Sequence, residues 1–246
     1  MDTLFISDLH LHNDRPEKIV LFRQLLKSAA DHGQTIYILG DLFEAWAGDD
    51  DVTPPHQEII DALAGFTASG HRLFFMRGNR DYLAGKRFTK KTGASLINDP
   101  ALIEIMGKKV LLMHGDTLCS LDKAYQIFRK LVNNPVSINL FLLLPFRLRH
   151  MIWHGLRNIT KKNTLYKSKY ITDVYQPVVE KVMLDHEVNI LIHGHTHKPD
   201  VHGFLLFNNP SYRYVLGDWY NNPVLLAAGE QGFRLLEVRQ YLEYQA

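Results

Sequence analysis

The sequence predicts an α/β fold, in which a mixed sheet carries helices on its faces and forms a two-sheet sandwich. Short apolar runs, typical of buried strands, alternate with helical segments through the first third of the chain. Four strand-like runs follow near the C-terminus, and a mostly helical stretch separates the two regions. With 246 residues, 46% of them apolar, the chain can form one large domain, 1–246, that contains an insertion.

The predicted elements follow in chain order. Strands are expected at 3–7, 35–39 and 73–76, and later at 102–105, 109–113 and 190–192. A first helix begins at Asp14 as N-cap, with Glu17 three residues on, and ends near Asp31. Further helices are expected at 55–69 and 82–92. The C-terminal strands are expected at 201–207, 212–216, 224–228 and 233–238.

Residues 122–185 form the insertion, which reads as helical with interruptions at Pro135, Pro145 and Pro177. It separates two of the candidate ligand segments, so we expect it to cover the site as a lid. Residues 123–172 hold ten of the 28 Lys and Arg and none of the 26 Asp and Glu. A basic segment in an acidic body suggests an anionic partner: phosphates, nucleic acid or a lipid surface.

Composition excludes several classes of protein. Cys119 is the only cysteine, so no intramolecular disulfide can form and we expect a reducing compartment. The N-terminus lacks the pattern of a signal peptide. The longest apolar stretch, 138–146, is far shorter than the roughly 20 residues that span a bilayer. We expect a soluble or peripherally attached protein.

Metal-ligand residues follow five of the predicted strands directly. Because ligands bind outside the carboxyl ends of strands in α/β sheets, these residues are expected to meet in one polar pocket. Any one of them alone is more simply a structural residue, but five such strand ends together predict a metal site. The segments are Asp8-Leu9-His10, Gly40-Asp41, Gly78-Asn79-Arg80-Asp81, His114-Gly115-Asp116 and His193-Gly194-His195-Thr196-His197.

Carboxylate, imidazole and amide ligands suit Mn²⁺, Fe or Zn, and the lack of thiolates argues against a structural zinc site. Two metals about 3.5–4 Å apart acidify a water and hold the oxygens of a phosphoryl group. One metal could take Asp8, His10 and His197, a second Asn79, His114 and His195, and Asp41 could bridge them.

These segments, in this order and spacing, resemble the signature of the calcineurin-like metallophosphoesterases. The resemblance covers the chain from Thr3 to the C-terminal strands. It implies a four-layer α/β/β/α sandwich and a dinuclear metal centre with the ligand set given above. The residues that it implies in catalysis are Asp41, Asn79, Arg80, His114 and His195.

Arg80 is an informative departure from that family. Many members that cleave phosphomonoesters have a His after the Asn, which can protonate the leaving group. Arginine cannot act as a general acid. It can stabilise the charge on a phosphate that leaves unaided, which favours a pyrophosphate substrate. The alternative is that Arg80 merely pairs with Asp81.

The insertion combines basic charge with large apolar residues, including the run 140–144. Such a run suits acyl chains or a membrane interface better than nucleic acid, which more often contacts interleaved aromatic and basic residues. The alternative is that these residues form the packed core of the lid. The two interpretations are compatible.

Wider motifs, such as 37–46 and 114–119, resemble the branch of the family that hydrolyses UDP-2,3-diacylglucosamine in lipid A biosynthesis. The resemblance implies two Mn²⁺ and attack of an activated water on the α-phosphorus, giving UMP and 2,3-diacylglucosamine 1-phosphate. It also implies peripheral attachment to the cytoplasmic face of an inner membrane, with contact to anionic lipid. We expect a monomer that binds this lipid-linked nucleotide and no nucleic acid.

The same resemblance implies a set of substrate contacts in the pocket and the insertion. Thr160 and Thr164 stand where the family pattern has Ser and Asn, and both keep a polar side chain. Two alternatives stay open: hydrolysis of a soluble nucleotide pyrophosphate or cyclic nucleotide, and a non-catalytic scaffold. The implied contact residues are Asn79, Arg80, Asp122, Thr160, Thr164, Lys167 and His195.

Overall fold

The computed structural model describes residues 2–165, 173–220 and 223–245. Its strands are β1 (Thr3–Ile6), β2 (Thr35–Leu39), β3 (Leu73–Met76), β4 (Ser95–Ile97), β5 (Ala101–Ile105), β6 (Lys108–Met113), β7 (Ile190–His193), β8 (Asp200–Leu206), β9 (Asn209–Val215), β10 (Val224–Gly229) and β11 (Gly232–Glu237). Its helices are α1 (Pro16–Asp31), α2 (His56–Ala68), α3 (Lys86–Thr92), α4 (Lys123–Val132), α5 (Pro135–Leu142), α6 (Phe146–Leu165), α7 (Gln176–Asp185) and α8 (Val238–Gln245).

The strands form two mixed sheets. The first has the order β11-β10-β1-β2-β3-β4, in which β1 to β4 are parallel and β10 and β11 are antiparallel additions. The second has the order β5-β6-β7-β9-β8, with a parallel centre and antiparallel edges. The predicted sandwich is confirmed, and the parallel strands β1, β2, β3, β6 and β7 are those that precede the ligand segments.

Successive side chains of a strand point to opposite faces of a sheet. Each sheet therefore packs against the other sheet on one face and against helices on the other, which gives four layers. Phe5 of β1 and Leu112 of β6 pack in the cluster between the two sheets. Their neighbours face outwards: Leu4 packs with α1, α2, α3 and α8, and Leu111 packs with α7. The four-layer α/β/β/α arrangement is therefore confirmed.

Several predicted helix boundaries are wrong. Arg15, not Asp14, is the N-cap residue of α1, and no side chain caps that helix. The third helix begins at Lys86 rather than at residue 82, because a distant carboxylate caps it. Asp49 accepts the backbone N–H groups of Gly85, Arg87 and Phe88 at 2.9–3.0 Å. Strand β4 and helix α8 were not predicted, and Pro177 lies in the first turn of α7 instead of interrupting it.

Helices α4, α5 and α6 are called here the insertion helices. Their inner side packs on the apolar core of the first sheet through Val132, Ile138, Phe141 and Trp153. Their outer side exposes large apolar residues: Ile127, Leu131, Val136, Leu140, Leu143 and Met151. Part of the apolar run therefore packs on the core, while contact of the run with acyl chains or a membrane and the extent of the insertion, 122–185, stay predictions. Lys167 and the side chains of Thr160 and Thr164 lie outside the described residues.

Candidate metal centre

The ligand segments meet where the carboxyl ends of five strands converge. Backbone hydrogen bonds join them directly: Asp8 N–H donates to Gly40 O at 3.1 Å, and His10 N–H donates to Asp41 O at 3.0 Å. In the second sheet, Gly194 N–H donates to His114 O at 2.9 Å. The side chains are thus held in one pocket by loops that are bonded to each other.

Five residues of these segments adopt left-handed backbone conformations. Such a φ is rare for residues other than glycine and costs of order 1–3 kcal/mol each. Strain of this kind persists only where the surrounding structure fixes it, and it concentrates at functional sites. The φ angles are 54° for Asp8, 46° for His10, 54° for Asp41, 68° for His195 and 58° for His197.

One ligand group consists of Asp8, His10 and His197, whose ligand atoms all lie within 4.8 Å of one another. The Nε2 atoms of His10 and His197 are 3.3 Å apart. Asp8 Oδ1 lies 3.3 Å from His197 Nε2 and 3.9 Å from His10 Nε2. The structure therefore brings together the three residues that the sequence assigns to one metal.

The second group lies on the other side of Asp41. Asp41 Oδ1 is 3.8 Å from His114 Nε2, and Asp41 Oδ2 is 3.8 Å from His10 Nε2. Asn79 Oδ1 lies 3.1 Å from His114 Nε2, and the His195 ring packs against that of His114 with centroids 5.1 Å apart. Asp41 thus directs one oxygen to each group, which is the geometry of a bridging ligand.

Three of the histidines have an acceptor near the ring nitrogen that faces away from the pocket. His114 Nδ1 lies 2.9 Å from Leu39 O, and the Nδ1 atoms of His10 and His197 lie 3.2 and 3.1 Å from carboxylates of Glu44 and Asp218. Donation of the Nδ1 protons of His114 and His197 to their acceptors leaves the Nε2 lone pairs directed into the pocket, whereas His10 Nδ1 makes no hydrogen bond within the described residues. Such outer partners orient histidine ligands in metal sites.

The pocket fits cations because electron pairs face one another within it. With Nδ1 protonated, the Nε2 atoms of His10 and His197 are both acceptors at 3.3 Å. The buried Oδ1 of Asp8 has no hydrogen-bond donor within the described residues. Buried acceptors without donors are costly unless a cation lies among them. The donor set therefore suits two divalent cations.

The pKa shifts of the pocket histidines also indicate a site for cations. Burial lowers the pKa of the His10 and His195 rings to about 4, which leaves them neutral and able to bind metal. Burial also acts on His114, but the carboxylates of Asp41, Asp8 and Asp116 outweigh it and raise that pKa to about 9. A carboxylate field that favours a proton on an imidazole favours a divalent cation more strongly, because the cation carries twice the charge.

Arg80 lies beside the bridging carboxylate. Its backbone N–H donates to Asp41 Oδ1 at 2.7 Å, and its Nε is 4.0 Å from Asp41 Oδ2. The proposed ion pair with Asp81 does not form, because that carboxylate accepts the backbone N–H groups of Asp41, Leu42 and Gly78 at 2.8–3.3 Å. Arg80 Nε makes no hydrogen bond within the described residues, and 29% of the side chain is exposed.

The start of the insertion lies against the same pocket. Asp122 is the N-cap of α4, where Oδ1 accepts the Tyr125 N–H at 3.1 Å. The Tyr125 ring stacks on that of His195 with centroids 6.0 Å apart, and its hydroxyl donates to Asp116 at 2.8 Å. Asp122, predicted to contact substrate, is therefore next to a residue that touches the ligand set.

Sequence reasoning did not predict the contacts that Glu44, Asp81 and Asp218 make with the ligand segments. Glu44 and Asp81 belong to motifs that the sequence singled out, but nothing in the sequence shows that they contact His10 and the Asp41 loop. Asp218 could have been found by the rule that found the ligands. It follows Gly217 just after β9, as Asp41 follows Gly40 after β2.

Comparison with known proteins identifies the class that this fold and site define. The family model described as calcineurin-like phosphoesterase matches residues 1–199. The solved structure of a novel archaeal phosphodiesterase matches with a TM-score of 0.50 at 13% identity, over 96% of this chain and 99% of that one. This likeness shows the fold alone. The chain belongs to the calcineurin-like phosphoesterases.

More similar relatives narrow the family. The UDP-2,3-diacylglucosamine hydrolase of Pseudomonas putida is 45% identical over 232 residues, which cover 94% of this chain and 97% of the relative. That of Serratia proteamaculans is 43% identical over 237 residues, which cover 96% and 99% of the two chains. Within its class, the chain therefore belongs to the family of the UDP-2,3-diacylglucosamine hydrolases, and the resemblance of its motifs is confirmed.

Proposed function

We propose that this chain hydrolyses the pyrophosphate bond of UDP-2,3-diacylglucosamine in lipid A biosynthesis. Water attacks the α-phosphorus, and the products are UMP and 2,3-diacylglucosamine 1-phosphate. The observation that carries the proposal is the position of Arg80, with an unpartnered Nε, beside a carboxylate that faces two ligand groups. The names of the relatives support this substrate.

The residues that would hold the cofactor are the two ligand groups and Asp41 between them, and we propose Mn²⁺ as the ion at both positions. When bound, two divalent cations supply an acidified water and neutralise phosphoryl oxygens. The outer acceptors Asp218 and Leu39 O would hold the imidazoles of His197 and His114 in the tautomer that binds metal, and Glu44 lies 3.2 Å from His10 Nδ1. Asp41 spans the two groups and fixes their separation.

The leaving group is a sugar phosphate, which departs as an anion and needs no proton. The Arg80 guanidinium stabilises the negative charge that develops on it. Asn79 and His195 line the same side of the pocket, and we propose that they contact the substrate phosphates. Asp122, Thr160, Thr164 and Lys167 would contact the rest of the substrate from the insertion.

We further propose that the outer face of the insertion helices contacts an anionic membrane at the cytoplasmic face of the inner membrane. Leu143 is 80% exposed, and Leu140 and Val136 are exposed beside it. Lys123 and Lys130 on α4 add positive charge, and apolar side chains next to basic ones are typical of interfacial helices. Over the described parts of the chain, we find no helix whose length and apolarity would let it cross a bilayer. We also propose that the protein is a monomer and that it binds no nucleic acid.

The reaction is tested by incubating the protein with Mn²⁺ and UDP-2,3-diacylglucosamine in detergent micelles made in ¹⁸O water. We expect the label in UMP, and kcat/KM at least about 100-fold above that for UDP-N-acetylglucosamine or a cyclic nucleotide, because the acyl chains contribute binding energy. Label in the sugar phosphate would place attack at the other phosphorus. If the soluble nucleotides are hydrolysed faster than the lipid, the proposed lipid substrate is wrong.

Membrane contact is tested by co-sedimentation with vesicles that contain about 30% phosphatidylglycerol, which gives them a strongly anionic surface. Leu143→Asp is expected to reduce binding about tenfold or more, because it removes apolar contact and adds repulsion. Leu205→Asp is the matched control, since Leu205 is 67% exposed on β8. Equal binding of the two variants would contradict the proposed surface.

A further inference from the structure

One arginine of the insertion helices is buried against the rest of the domain. Arg149 begins the second turn of α6, yet its exposed fraction is only 3%. Its guanidinium reaches a loop between β2 and α2, called here the docking loop, residues 47–51. Nη1 donates to Ala47 O at 2.6 Å, and Nη2 donates to the carboxylate of Asp50. Arg149 therefore makes two hydrogen bonds to the docking loop, one to a backbone carbonyl and one to a carboxylate.

The same guanidinium also ties the insertion helices to one another. Arg149 Nε donates to Leu144 O at 3.0 Å, just beyond the end of α5. The fork of a guanidinium can bind several acceptors in one plane, which an ammonium cannot do. One side chain thus fixes the α5–α6 junction and the docking loop relative to each other.

The docking loop is shaped for this close approach. Gly48 has a φ of +130°, a conformation that residues with a Cβ rarely adopt. A Cβ at that position would collide with Arg149 Nη1 and would lie 3.1 Å from Leu142 Cδ2. Partial burial raises the pKa of Asp50, but its hydrogen bond to Arg149 outweighs this and keeps the pKa below its ordinary value.

A second contact lies one turn further along α6. The Trp153 ring packs on Tyr82 with centroids 5.3 Å apart, and Trp153 belongs to the apolar core of the first sheet. The indole N–H of Trp153 makes no hydrogen bond within the described residues, so this contact is apolar. The hydrogen bonds of Arg149 are directional, and they select one orientation.

We propose that Arg149 is a positioning residue that holds the insertion helices over the metal centre and thereby sets the affinity for the lipid-linked substrate. This inference rests on the proposed function, because its consequence for KM requires that the insertion contact the substrate. Arg149 acts through other groups: α4 carries Asp122 beside the pocket, and α6 continues to Thr160 and Thr164. The ligand segments are built on the sheets and do not contact Arg149.

The test compares Arg149→Met and Arg149→Lys with Arg147→Met, a matched control that removes an exposed arginine two residues earlier on the same helix. Each variant is assayed with UDP-2,3-diacylglucosamine in micelles and with bis(p-nitrophenyl) phosphate, a small diester that needs only the metal centre. For Arg149→Met we expect KM for the lipid to rise about tenfold or more, with kcat for the diester within about twofold of the parent. Arg149→Lys is expected to recover part of the loss.

Losses of the same size on both substrates would overturn the proposal, because they would show a general structural role. An unchanged KM for the lipid would overturn it as well. Amide hydrogen exchange in α4 and α5 supplies a measurement that needs no substrate: we expect faster exchange in Arg149→Met than in Arg147→Met. If the parent protein does not cleave the lipid, the proposed function fails, whereas equal exchange in the two variants refutes the positioning role itself.

Discussion

Substitution of Gly40 by alanine tests how closely the ligand segments are packed. Gly40 has a φ of +88°, and a Cβ there would lie 2.6 Å from Gly78 Cα and 2.7 Å from His114 Nδ1. Ordinary van der Waals contact begins at 3.4 Å, so the neighbouring groups must move apart by about 0.7–0.8 Å. Both neighbours belong to the candidate metal centre, because Gly78 precedes Asn79 and His114 is itself a candidate ligand.

The expected result follows from these distances. A displacement approaching 1 Å at a catalytic site can lower kcat/KM by about 10²-fold. The left-handed backbone adds a strain of about 1–2 kcal/mol for a residue with a Cβ. We therefore expect Gly40→Ala to lose about 100-fold in kcat/KM, to bind less Mn²⁺ at equilibrium and to unfold at a lower temperature than the parent.

The assay measures hydrolysis of bis(p-nitrophenyl) phosphate, bound Mn²⁺ per chain and the thermal midpoint of unfolding. Gly65→Ala is the matched control, because Gly65 lies within α2 and a Cβ there would meet nothing within 4 Å. That control should keep full activity and gain about 0.5–1 kcal/mol of stability. Activity of Gly40→Ala within about twofold of the control would refute the packing argument, because the predicted displacement costs far more.

Three further predictions concern single side chains. Arg80→Ala should lower kcat for the lipid substrate about 10²–10³-fold while bound Mn²⁺ stays unchanged, because only the anion-stabilising group is lost; loss of metal would make its role structural. Asp218→Asn should weaken Mn²⁺ binding about 10–100-fold in a titration, since His197 loses its outer acceptor, and unchanged affinity would contradict this. Burial raises the pKa of Asp51, but hydrogen bonds from His56 and Thr53 outweigh it and lower that pKa to about 2. The stability from Asp51 is therefore complete above pH 4 and lost as pH falls through 2, so the deficit of Asp51→Asn, about 2 kcal/mol at neutral pH, should vanish in acid denaturation curves; a deficit that persists at pH 2 would contradict the shift.

Much of the fold could be predicted because buried strands follow a pattern that is local in sequence. Strands β1, β2 and β3 and the ends of α1 and α2 lie within two residues of their predicted positions. The beginning of α3 could not be predicted, since its cap is Asp49, which is distant in sequence. The short strand β4 has no alternating pattern and forms only because β3 offers a free edge.

The candidate ligands could be predicted because their rule is topological: polar residues directly after parallel strands share one edge of a sheet. The residues that orient them obey no such rule, apart from Asp218, because their contacts depend on how the loops fold. Glu44 and Asp81 lie among ordinary acidic residues, and only the structure shows which atoms they hold.

Helix α5 is too short for hydrophobic periodicity to distinguish its buried face from its exposed face. The run 140–144 is apolar throughout, and α5 has only eight residues. The structure assigns Phe141 to the core and leaves Leu140 and Leu143 exposed. Truncation of Phe141 would therefore lower stability as well as alter lipid binding, so Leu143 is the better probe of the outer face.

The central claim is that residues at five strand ends hold two metal ions, with Asp41 between them. Anomalous diffraction at the manganese edge from crystals grown with Mn²⁺ tests this claim most directly. We expect two peaks about 3.5–4 Å apart, both within bonding distance of Asp41. One peak should also contact Asp8, His10 and His197, and the other Asn79, His114 and His195. A single peak, or two peaks that do not share Asp41, would contradict the claim.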